Sequence, residues 1–339
     1  MSDAILIFSF GGPEKRDDVM PFLENVVAGR NVPRERLLEV AEHYYHFGGK
    51  SPINDHNRTM IAALEALLKQ QGPALPVYWG NRNWHPFLAD TLETMARDGV
   101  RRAFVFATSA FGSYSGCRRY IEDLDQAANE VETKTGGSVP ELIKLRLYWN
   151  HPGFIEPMID LVRGAYAQIP APRRDATAMV YTAHSVPLSM ADSSPYVLQL
   201  EEASGIVSDA LGIKEWTLAY QSRSGPPTQP WLEPDVLDHL RGLKAAGRTD
   251  VVVAPIGFVS DHMEVLYDLD TEAKDLCAEL GLNMVRAGTA GGDPRFVEMI
   301  RELVLEQMGE VKTRRAVGPS GSSPDICPVG CCAMPQRPR

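Results

Sequence analysis

Short apolar segments rich in β-branched and aromatic residues alternate with amphipathic segments along most of the chain. The predicted strands are residues 4–9, 76–80, 102–107, 141–146, 178–183, 216–221, 250–255 and 283–286. Amphipathic stretches between them include residues 58–70, 88–98, 198–211 and 271–280. Because a helical crossover joins two parallel strands, this alternation predicts an α/β fold with parallel sheets. The nearly continuous apolar strands indicate sheets that are covered on both faces.

The first four and the last four predicted strands follow one plan. Residues 8–13, Phe-Ser-Phe-Gly-Gly-Pro, resemble residues 182–187, Thr-Ala-His-Ser-Val-Pro. Residues 78–83 correspond to 219–224 in the same way, and residues 102–113 correspond to 250–261. The similarity is weak in letters but keeps the same order, which predicts a duplicated half. We therefore expect one half over residues 1–150 and a second over residues 151–311.

The spacing between these motifs indicates an insertion in the first half. Pro13 and Arg82 are 69 residues apart, whereas Pro187 and Arg223 are 36 apart, so the first half carries 33 additional residues within roughly 19–51. The insertion ends in an aromatic, histidine-rich stretch. Ligands of doubly wound folds bind beyond the carboxyl ends of the strands, where this insertion lies. It therefore predicts a lip over a binding crevice, the alternative being a surface decoration.

Charge and length exclude several classes of function. The chain has 339 residues and a net charge of −10. It has no basic stripe that would release counterions from nucleic acid, so nucleic acid is not an expected partner. The apolar runs are of strand length and predict no transmembrane segment. The N-terminus shows no signal peptide, so a cytoplasmic location is expected.

Three of the five cysteines, Cys327, Cys331 and Cys332, cluster near the C-terminus. After residues 312–315, residues 316–324 are rich in Gly, Ser and Pro and predict a flexible linker, so residues 312–339 form a linker and a cysteine tail. Clustered cysteines in a cytosolic protein point to metal. Cys117 is a candidate fourth ligand from the body, and four thiolates suit a [2Fe–2S] cluster or Zn²⁺. Cys277 is expected to be an ordinary buried thiol.

His184 directly follows a predicted strand of the second half. It therefore falls at the carboxyl edge of the sheet, where α/β active sites form. A neutral imidazole there can accept a proton or ligate a divalent metal. The alternative is a structural histidine at the start of a loop.

Three carboxylates, Glu264, Asp268 and Glu272, follow the next strand of that half at a spacing of four residues. On a helix that Ser260 or Asp261 caps, they form one acidic row, in which like charges repel. No lysine or arginine lies between residues 259 and 272. The row therefore predicts a cavity-facing site for a divalent cation or for proton removal. An acidic helix N-terminus is the alternative, but it does not account for Glu272.

The motif order along residues 4–305 resembles the ferrochelatases, which insert ferrous iron into a porphyrin. The motifs are residues 9–13, 48–54, 78–84, 182–187, 221–226 with 230–232, and 257–270. The resemblance implies a chelatase-type fold of two Rossmann-like halves, each with a four-stranded parallel sheet flanked by helices. It also implies an active-site cleft between the halves. No HExxH motif and no Walker loop compete with this interpretation.

The resemblance also implies roles for individual residues. His184 is expected to take pyrrole protons or bind the incoming iron, and Glu264 to be its partner across the macrocycle. Asp268 and Glu272 would form the row along which metal or protons travel. The expected porphyrin contacts are Ser51 and Tyr120 near the propionates, His43 and Tyr44 on the lip, and Phe10, which replaces a tyrosine of some relatives.

For the cysteines, the resemblance favours a [2Fe–2S] cluster on Cys117, Cys327, Cys331 and Cys332. For the substrates, it implies Fe²⁺ and, because several motifs resemble the actinobacterial branch, coproporphyrin III. The alternatives are protoporphyrin IX, a cobalt or nickel chelatase, and a non-catalytic tetrapyrrole-binding protein. Transient contact with neighbouring enzymes of the haem pathway is also expected.

Overall fold

The computed structural model describes residues 2–225 and 228–334. The chain divides into two compact units. The first unit comprises residues 1–108, 119–145 and 300–312, and the second comprises residues 109–118, 146–299 and 313–339. The division into halves near residue 150 stays a prediction, because the two units exchange short segments of chain.

The first unit is built on a parallel four-stranded sheet with the strand order β2-β1-β3-β4. Its strands are β1 (Ser2–Ser9), β2 (Val77–Asn81), β3 (Val100–Ala107) and β4 (Glu141–Lys144). Its helices are α1 (Val19–Val26), α2 (Arg34–His46), α3 (Ile53–Gln71), α4 (Leu88–Arg97) and α5 (Arg119–Thr135). Every side chain from Ala4 to Phe8 is fully buried, as expected for a central strand covered on both faces.

The core of this unit forms where α4 and α5 cover the sheet. Leu92 of α4 and Leu124 of α5 pack with Leu6, Phe8 and Val105 of the two central strands. Each helix presents an apolar stripe of helical period, so the stripe and the sheet bury one another.

The second unit repeats the sheet in the equivalent order β6-β5-β7-β8, again all parallel. Its strands are β5 (Ala178–His184), β6 (Trp216–Gln221), β7 (Asp250–Ala254) and β8 (Asn283–Arg286). Its helices are α6 (Pro152–Ala167), α7 (Leu188–Asp192), α8 (Tyr196–Leu211), α9 (Val236–Ala245), α10 (Met263–Tyr267) and α11 (Lys274–Leu280). The last helix, α12 (Pro294–Met308), begins in this unit, and its residues from Ile300 onward belong to the first. The matching strand orders confirm the duplicated plan that the motif order predicts.

The insertion of the first half forms a small helical layer of its own. Phe22 of α1 is buried and packs edge-on against Tyr44 of α2, with the ring centroids 5.7 Å apart. Phe10, the residue after β1, packs against Phe22 in the same way at 6.1 Å. The aromatic residues of the insertion therefore anchor it at the carboxyl end of β1, where the predicted lip belongs.

The prediction of a flexible linker before the cysteine tail is wrong. Asn150 accepts a hydrogen bond on its backbone oxygen from the Val317 amide at 2.8 Å, and its side chain donates to the Gly321 carbonyl at 2.7 Å. Glu202 accepts a hydrogen bond from the Ser320 amide at 3.0 Å. We call residues 313–325 the strap, because these long-range bonds hold it along the second unit despite its Gly- and Ser-rich composition.

No helix within residues 2–225 and 228–334 is both long and apolar enough to cross a membrane. This finding agrees with the strand-length apolar runs of the sequence.

Candidate active site

His184 is the last residue of β5, which runs one residue further than the predicted strand, and it lies beside Gln221 at the end of β6. Its Nδ1 lies 2.5 Å from the Ser185 carbonyl oxygen, and the Tyr196 hydroxyl donates to the His184 carbonyl at 3.0 Å. The contact with the Ser185 carbonyl fixes the orientation of the imidazole ring through Nδ1. His184 is therefore oriented by its own neighbours, with Nε2 directed at Glu264.

Glu264 lies between two imidazoles. Its Oε1 is 3.7 Å from Nε2 of His184, and its Oε2 is 3.4 Å from Nε2 of His262. Burial acts to raise the pKa of Glu264, but the charges of His184 and His262 and a hydrogen bond from His262 outweigh burial and lower the pKa to about 2. Glu264 is therefore an ionised carboxylate whose side chain keeps 43% of its surface exposed.

The expectation that Glu264 lies across the macrocycle from His184 is wrong. A flat ring between two side chains needs about 7 Å, since each face takes a van der Waals contact of about 3.5 Å. The gap between His184 and Glu264 is 3.7 Å. The two side chains therefore form a close pair within the second unit, with no room for a flat ring between them.

Asp268 lies one turn after Glu264 and is held by residues from the end of β6. The Ser222 hydroxyl donates a short hydrogen bond to its carboxylate, and the Gln221 amide donates to the same oxygen at 3.3 Å. Burial raises the pKa of Asp268 to about 7, against the effect of Ser222 and with the help of the charges on Glu264 and Glu272. Burial and Asp235 also raise the pKa of Glu272.

The acidic row does not lie on a regular helix, contrary to the prediction. The helix α10 ends at Tyr267, and a π-helical segment, Asp268–Ala273, joins it to α11. In an α-helix each four-residue step drifts about 40° around the axis, whereas the wider π turn rotates less per residue and counteracts that drift. The π segment therefore helps to keep Glu272 in line with Glu264. Such segments occur frequently at functional sites.

The predicted cap is also wrong. His262 occupies the N-cap of α10 without a side-chain hydrogen bond to the helix. Asp261 instead pairs with Arg286 of β8, at 3.1 Å, and Arg286 also binds Asp270 at 2.6 Å. Arg286 therefore neutralises Asp261 and Asp270, two acidic residues that lie outside the row. Within the described part of the chain, no lysine or arginine forms an ion pair with the row itself.

The sequence reasoning missed Gln221, Ser222 and His262 as parts of the site. Ser222 has a φ of 61°, in the left-handed region that costs a non-glycine residue about 1–3 kcal/mol. That conformation turns the chain at the end of β6, where the Ser222 hydroxyl meets Asp268. The signal was present, because the motif at residues 221–226 follows a strand just as His184 does. Its Pro226 lies outside the described residues.

Gly257 allows the loop after β7 to close against β5. A Cβ at this position would lie 2.6 Å from the Cβ of Ala183, the residue before His184. The Gly257 amide donates to the Thr182 carbonyl at 3.0 Å. Only glycine fits so close an approach, so this contact fixes where α10 begins relative to His184.

The predicted porphyrin contacts of the first unit gather around the end of β1. Ser51 is 3% exposed and packs against Gly12, whose Cβ would lie 2.7 Å from that of Ser51. Phe10, Tyr44 and His43 are partly exposed beside the insertion, and burial lowers the pKa of His43.

Tyr120 is less accessible than the prediction implies. It is 4% exposed and packs in the core against Phe8, with ring centroids 5.0 Å apart. The Arg82 guanidinium lies over the Tyr120 ring at 4.9 Å and over Phe10 at 5.7 Å, and its Nε is 2.6 Å from Asp123. This burial favours a supporting role for Tyr120 behind Arg82 over direct contact with a ligand.

The cysteines of the predicted cluster all belong to the second unit. Cys117 is buried in the π-helical turn Tyr114–Arg118, and Cys332 is buried in the tail with its sulfur 3.6 Å from that of Cys331. Cys277 is buried in α11 and burial raises its pKa to about 11, as expected of an ordinary buried thiol. In the described ranges, no group of three or more His, Cys, Asp or Glu side chains is arranged to hold a metal ion.

Two sheets of one repeated order, with the imidazole–carboxylate site at the carboxyl edge of the second, define a chelatase-type α/β protein. The sirohydrochlorin chelatase SirB from *Bacillus subtilis* subspecies *spizizenii*, solved in complex with cobalt, has the same fold, with a TM-score of 0.52. It is 13% identical in sequence over 91% of this chain and 98% of its own.

The chain belongs to the ferrochelatase family, because the family model for Ferrochelatase matches residues 2–308. A protein of *Rhodopirellula baltica* named Ferrochelatase is 54% identical over 99% of this chain and 95% of its own length. A protein of *Streptomyces coelicolor* named Coproporphyrin III ferrochelatase is 52% identical with the same coverage. The predictions of the family and of a porphyrin metal chelatase are confirmed.

Proposed function

We propose that this chain inserts Fe²⁺ into coproporphyrin III, giving Fe-coproporphyrin III in haem biosynthesis. The observation that carries the proposal is the 52% identity, over 99% of the chain, to a relative named Coproporphyrin III ferrochelatase. A relative from *Nocardia farcinica* with the same name is 51% identical over 99% of the chain.

Metal insertion releases two protons from the pyrrole nitrogens for each Fe²⁺ that enters the ring, so the site needs proton acceptors. Nε2 of His184 faces Glu264, and the ring is held in place by the Nδ1 contact with Ser185. We assign it the first proton, because an imidazole accepts protons near neutral pH. The ionised Glu264, 3.7 Å away, stabilises the imidazolium that results.

Asp268 is suited to pass protons onward. A group with a pKa of about 7 both accepts and releases a proton at neutral pH. Glu272, whose pKa is also raised, continues the row away from His184. In this proposal Glu264, Asp268 and Glu272 also attract the incoming Fe²⁺, because carboxylate oxygens and imidazole are suitable ligands for it.

On the substrate side, we propose that Phe10, His43, Tyr44 and Ser51 line the porphyrin-binding surface, with Tyr120 behind them. Phe10 and Tyr44 offer aromatic surface to the ring, and they are tied together through Phe22. Binding energy from such remote contacts can offset the bending that a flat porphyrin needs before it accepts a metal.

We also propose a [2Fe–2S] cluster on Cys117, Cys327, Cys331 and Cys332. The donor set is four thiolates, which suits such a cluster. The tail contacts the end of α7 through Ser193, whose hydroxyl donates to the Ala333 carbonyl at 3.3 Å. Met190 of α7 in turn contacts the Ser115 hydroxyl at 3.7 Å, two residues before Cys117. Cluster binding would draw the tail cysteines together and cross-link the tail to this turn.

The cluster proposal is tested on protein purified without oxygen. We expect about two iron and two sulfide per chain with visible absorption, and loss of both in Cys331→Ser but not in Cys277→Ser. Stoichiometric zinc in place of iron and sulfide would overturn it.

The substrate is tested by anaerobic turnover of coproporphyrin III and protoporphyrin IX with Fe²⁺, followed by the change in porphyrin absorption. We expect faster turnover of coproporphyrin III. A clear preference for protoporphyrin IX would favour the second candidate, which the name Ferrochelatase of the *Rhodopirellula baltica* relative leaves open. A cytoplasmic location and transient contact with neighbouring haem-pathway enzymes complete the proposal.

A further inference from the structure

A cavity of about 1080 Å³ lies in the second unit away from His184. Its floor includes Ala178 and Met179, which begin β5, and Trp216 and Thr217, which begin β6. His184 ends β5, and a strand of seven residues is about 20 Å long. The cavity is therefore at the amino edge of the sheet, and the proposed iron insertion makes no use of it.

The charges around this cavity are opposite in sign to those of the whole protein. Its charged lining residues are Arg163, Arg174, Lys214, Arg248, Asp175 and Glu215. The lining has four cations and two anions, in a chain whose net charge is −10, and Arg163 is paired with Asp160 outside the cavity. A concave surface of one sign with low-dielectric walls concentrates ions of the other sign.

Two of these cations are not neutralised by carboxylates. The Arg174 guanidinium donates to the Ile169 carbonyl at 2.8 Å and to the Ala167 carbonyl at 2.9 Å, which position it without cancelling its charge. Lys214 is exposed and forms no ion pair within the residues that the structure describes. The charge of Arg248 is partly neutralised, because this residue lies 3.4 Å from Glu215, and it also donates a hydrogen bond to the Ala176 carbonyl.

The remaining lining provides apolar surface and one polar group that lacks a partner. Trp216 and Tyr166 contribute aromatic rings, and Ile213 contributes an aliphatic side chain. Nε2 of His239 is buried without a hydrogen-bond partner in the structure. Burial lowers the pKa of His239, which keeps the imidazole neutral and able to donate or accept one hydrogen bond.

From this geometry we infer a second binding site, for a small organic anion with an apolar, flat body and a carboxylate or phosphate group. Arg174 and Lys214 bind the anionic group, and the surface around Trp216 packs against the apolar, flat part of the ligand. A concave cavity that combines aromatic rings with a few convergent polar groups can bind a small molecule. Charge-assisted bonds to guanidinium and ammonium groups are the stronger kind of hydrogen bond.

The test uses three probes that share one body: 2-naphthoate, 2-naphthyl phosphate and the neutral 2-naphthamide. Calorimetric titration of the full-length protein at low salt gives the affinity of each. We expect at least one anion to bind about tenfold more tightly than the amide, and the tighter anion identifies the preferred group. Equal binding of all three probes, or no binding of either anion up to about 1 mM, would overturn the inference.

Matched charge reversals locate the site. Lys214→Glu should weaken the anion about tenfold, and Lys214→Gln should weaken it less. Arg241→Glu is the control, because Arg241 is an exposed residue of α9 that pairs with Asp238 at 2.7 Å outside the cavity. An equal loss in Arg241→Glu would mean that only the overall charge matters and would contradict a site here.

His184→Ala should bind the anion as tightly as the unchanged protein, since a loss would place the probe in the catalytic site instead. Circular dichroism of each variant verifies folding. These binding measurements do not depend on iron insertion, so their failure and a failure of the proposed activity are distinguishable.

Discussion

Glu264 and Asp268 stand one turn apart in the second unit, yet the pKa of Glu264 is lowered to about 2 and that of Asp268 is raised to about 7. The difference follows from their neighbours. Burial acts to raise both values, but two imidazoles bind Glu264, whereas Asp268 receives uncharged donors from Gln221 and Ser222. Adjacent groups with pKa values so far apart take different roles in proton transfer.

The His184–Glu264 pair should be required for metal insertion but not for porphyrin binding. We expect His184→Ala and Glu264→Gln each to slow iron insertion by about a hundredfold or more, the usual contribution of a positioned proton acceptor. Porphyrin binding, measured by fluorescence quenching, should change little. Glu279→Gln, on the exposed face of α11, is the matched control. Insertion at the normal rate in either site variant would refute the assigned roles.

Asp268 should determine the pH dependence of insertion near neutrality. Its carboxylate accepts a proton only when it is deprotonated, so the rate should rise as the pH increases through about 7. Asp268→Asn should slow the reaction and remove that limb of the pH–rate profile. A profile that keeps its limb near pH 7 in the variant would assign the titration to another group.

The same residue should affect stability in a pH-dependent way. The folded pKa of Asp268 is above its unfolded value of 3.8, so the folded state binds the proton more tightly. The stabilisation is therefore complete below pH 3.8 and is lost as the pH rises through about 7. Asp268→Asn should consequently raise the thermal midpoint more at pH 8 than at pH 5, measured by circular dichroism. A larger gain at pH 5 would contradict this sign.

Gly257 should tolerate no side chain. In Gly257→Ala the new Cβ would lie 2.6 Å from that of Ala183, so the loop or the end of β5 must move. We expect a destabilisation of about 1–3 kcal/mol, the usual cost of overpacking, together with slower insertion. Gly242→Ala in α9 meets nothing within 4 Å and should be neutral or slightly stabilising. Equal effects of the two variants on urea midpoints would argue against the close approach.

The strap should be protected from hydrogen exchange. In Glu202→Ala the Ser320 amide loses its acceptor, so exchange around residue 320 should accelerate, as measured by mass spectrometry. Glu201→Ala alters the exposed neighbouring residue and should leave this exchange unchanged. Rapid hydrogen exchange of the strap amides in the unchanged protein would instead support the flexible linker that the composition indicates.

Much of the fold could be predicted from the sequence because its signals are local. The strand predicted at residues 216–221 is found as β6 with the same bounds. The strand predicted at residues 178–183 is found as β5, one residue longer because it includes His184. Continuous apolar runs specify buried strands, and their repeated order specifies the duplicated sheet. His184 and Glu264 could be proposed as site residues on the same basis, because each lies at or beyond the carboxyl end of such a strand.

The errors concern properties that depend on distant residues. Composition suggested that the strap is flexible, but Asn150 and Glu202 provide its hydrogen bonds. A spacing of four residues suggested a regular helix, yet a π segment begins at Asp268. No local rule specifies that Asp261 pairs with Arg286 instead of capping α10.

Periodicity and order along the chain are enough to specify the α/β class, the two repeated halves and the residue types of the site. The close pairing of His184 with Glu264, and the rise of the Asp268 pKa to about 7, depend on the fold. A pKa depends on burial and on neighbouring charges, and the fold brings those neighbours from separate strands. The same holds for the basic cavity at the opposite edge of the second sheet.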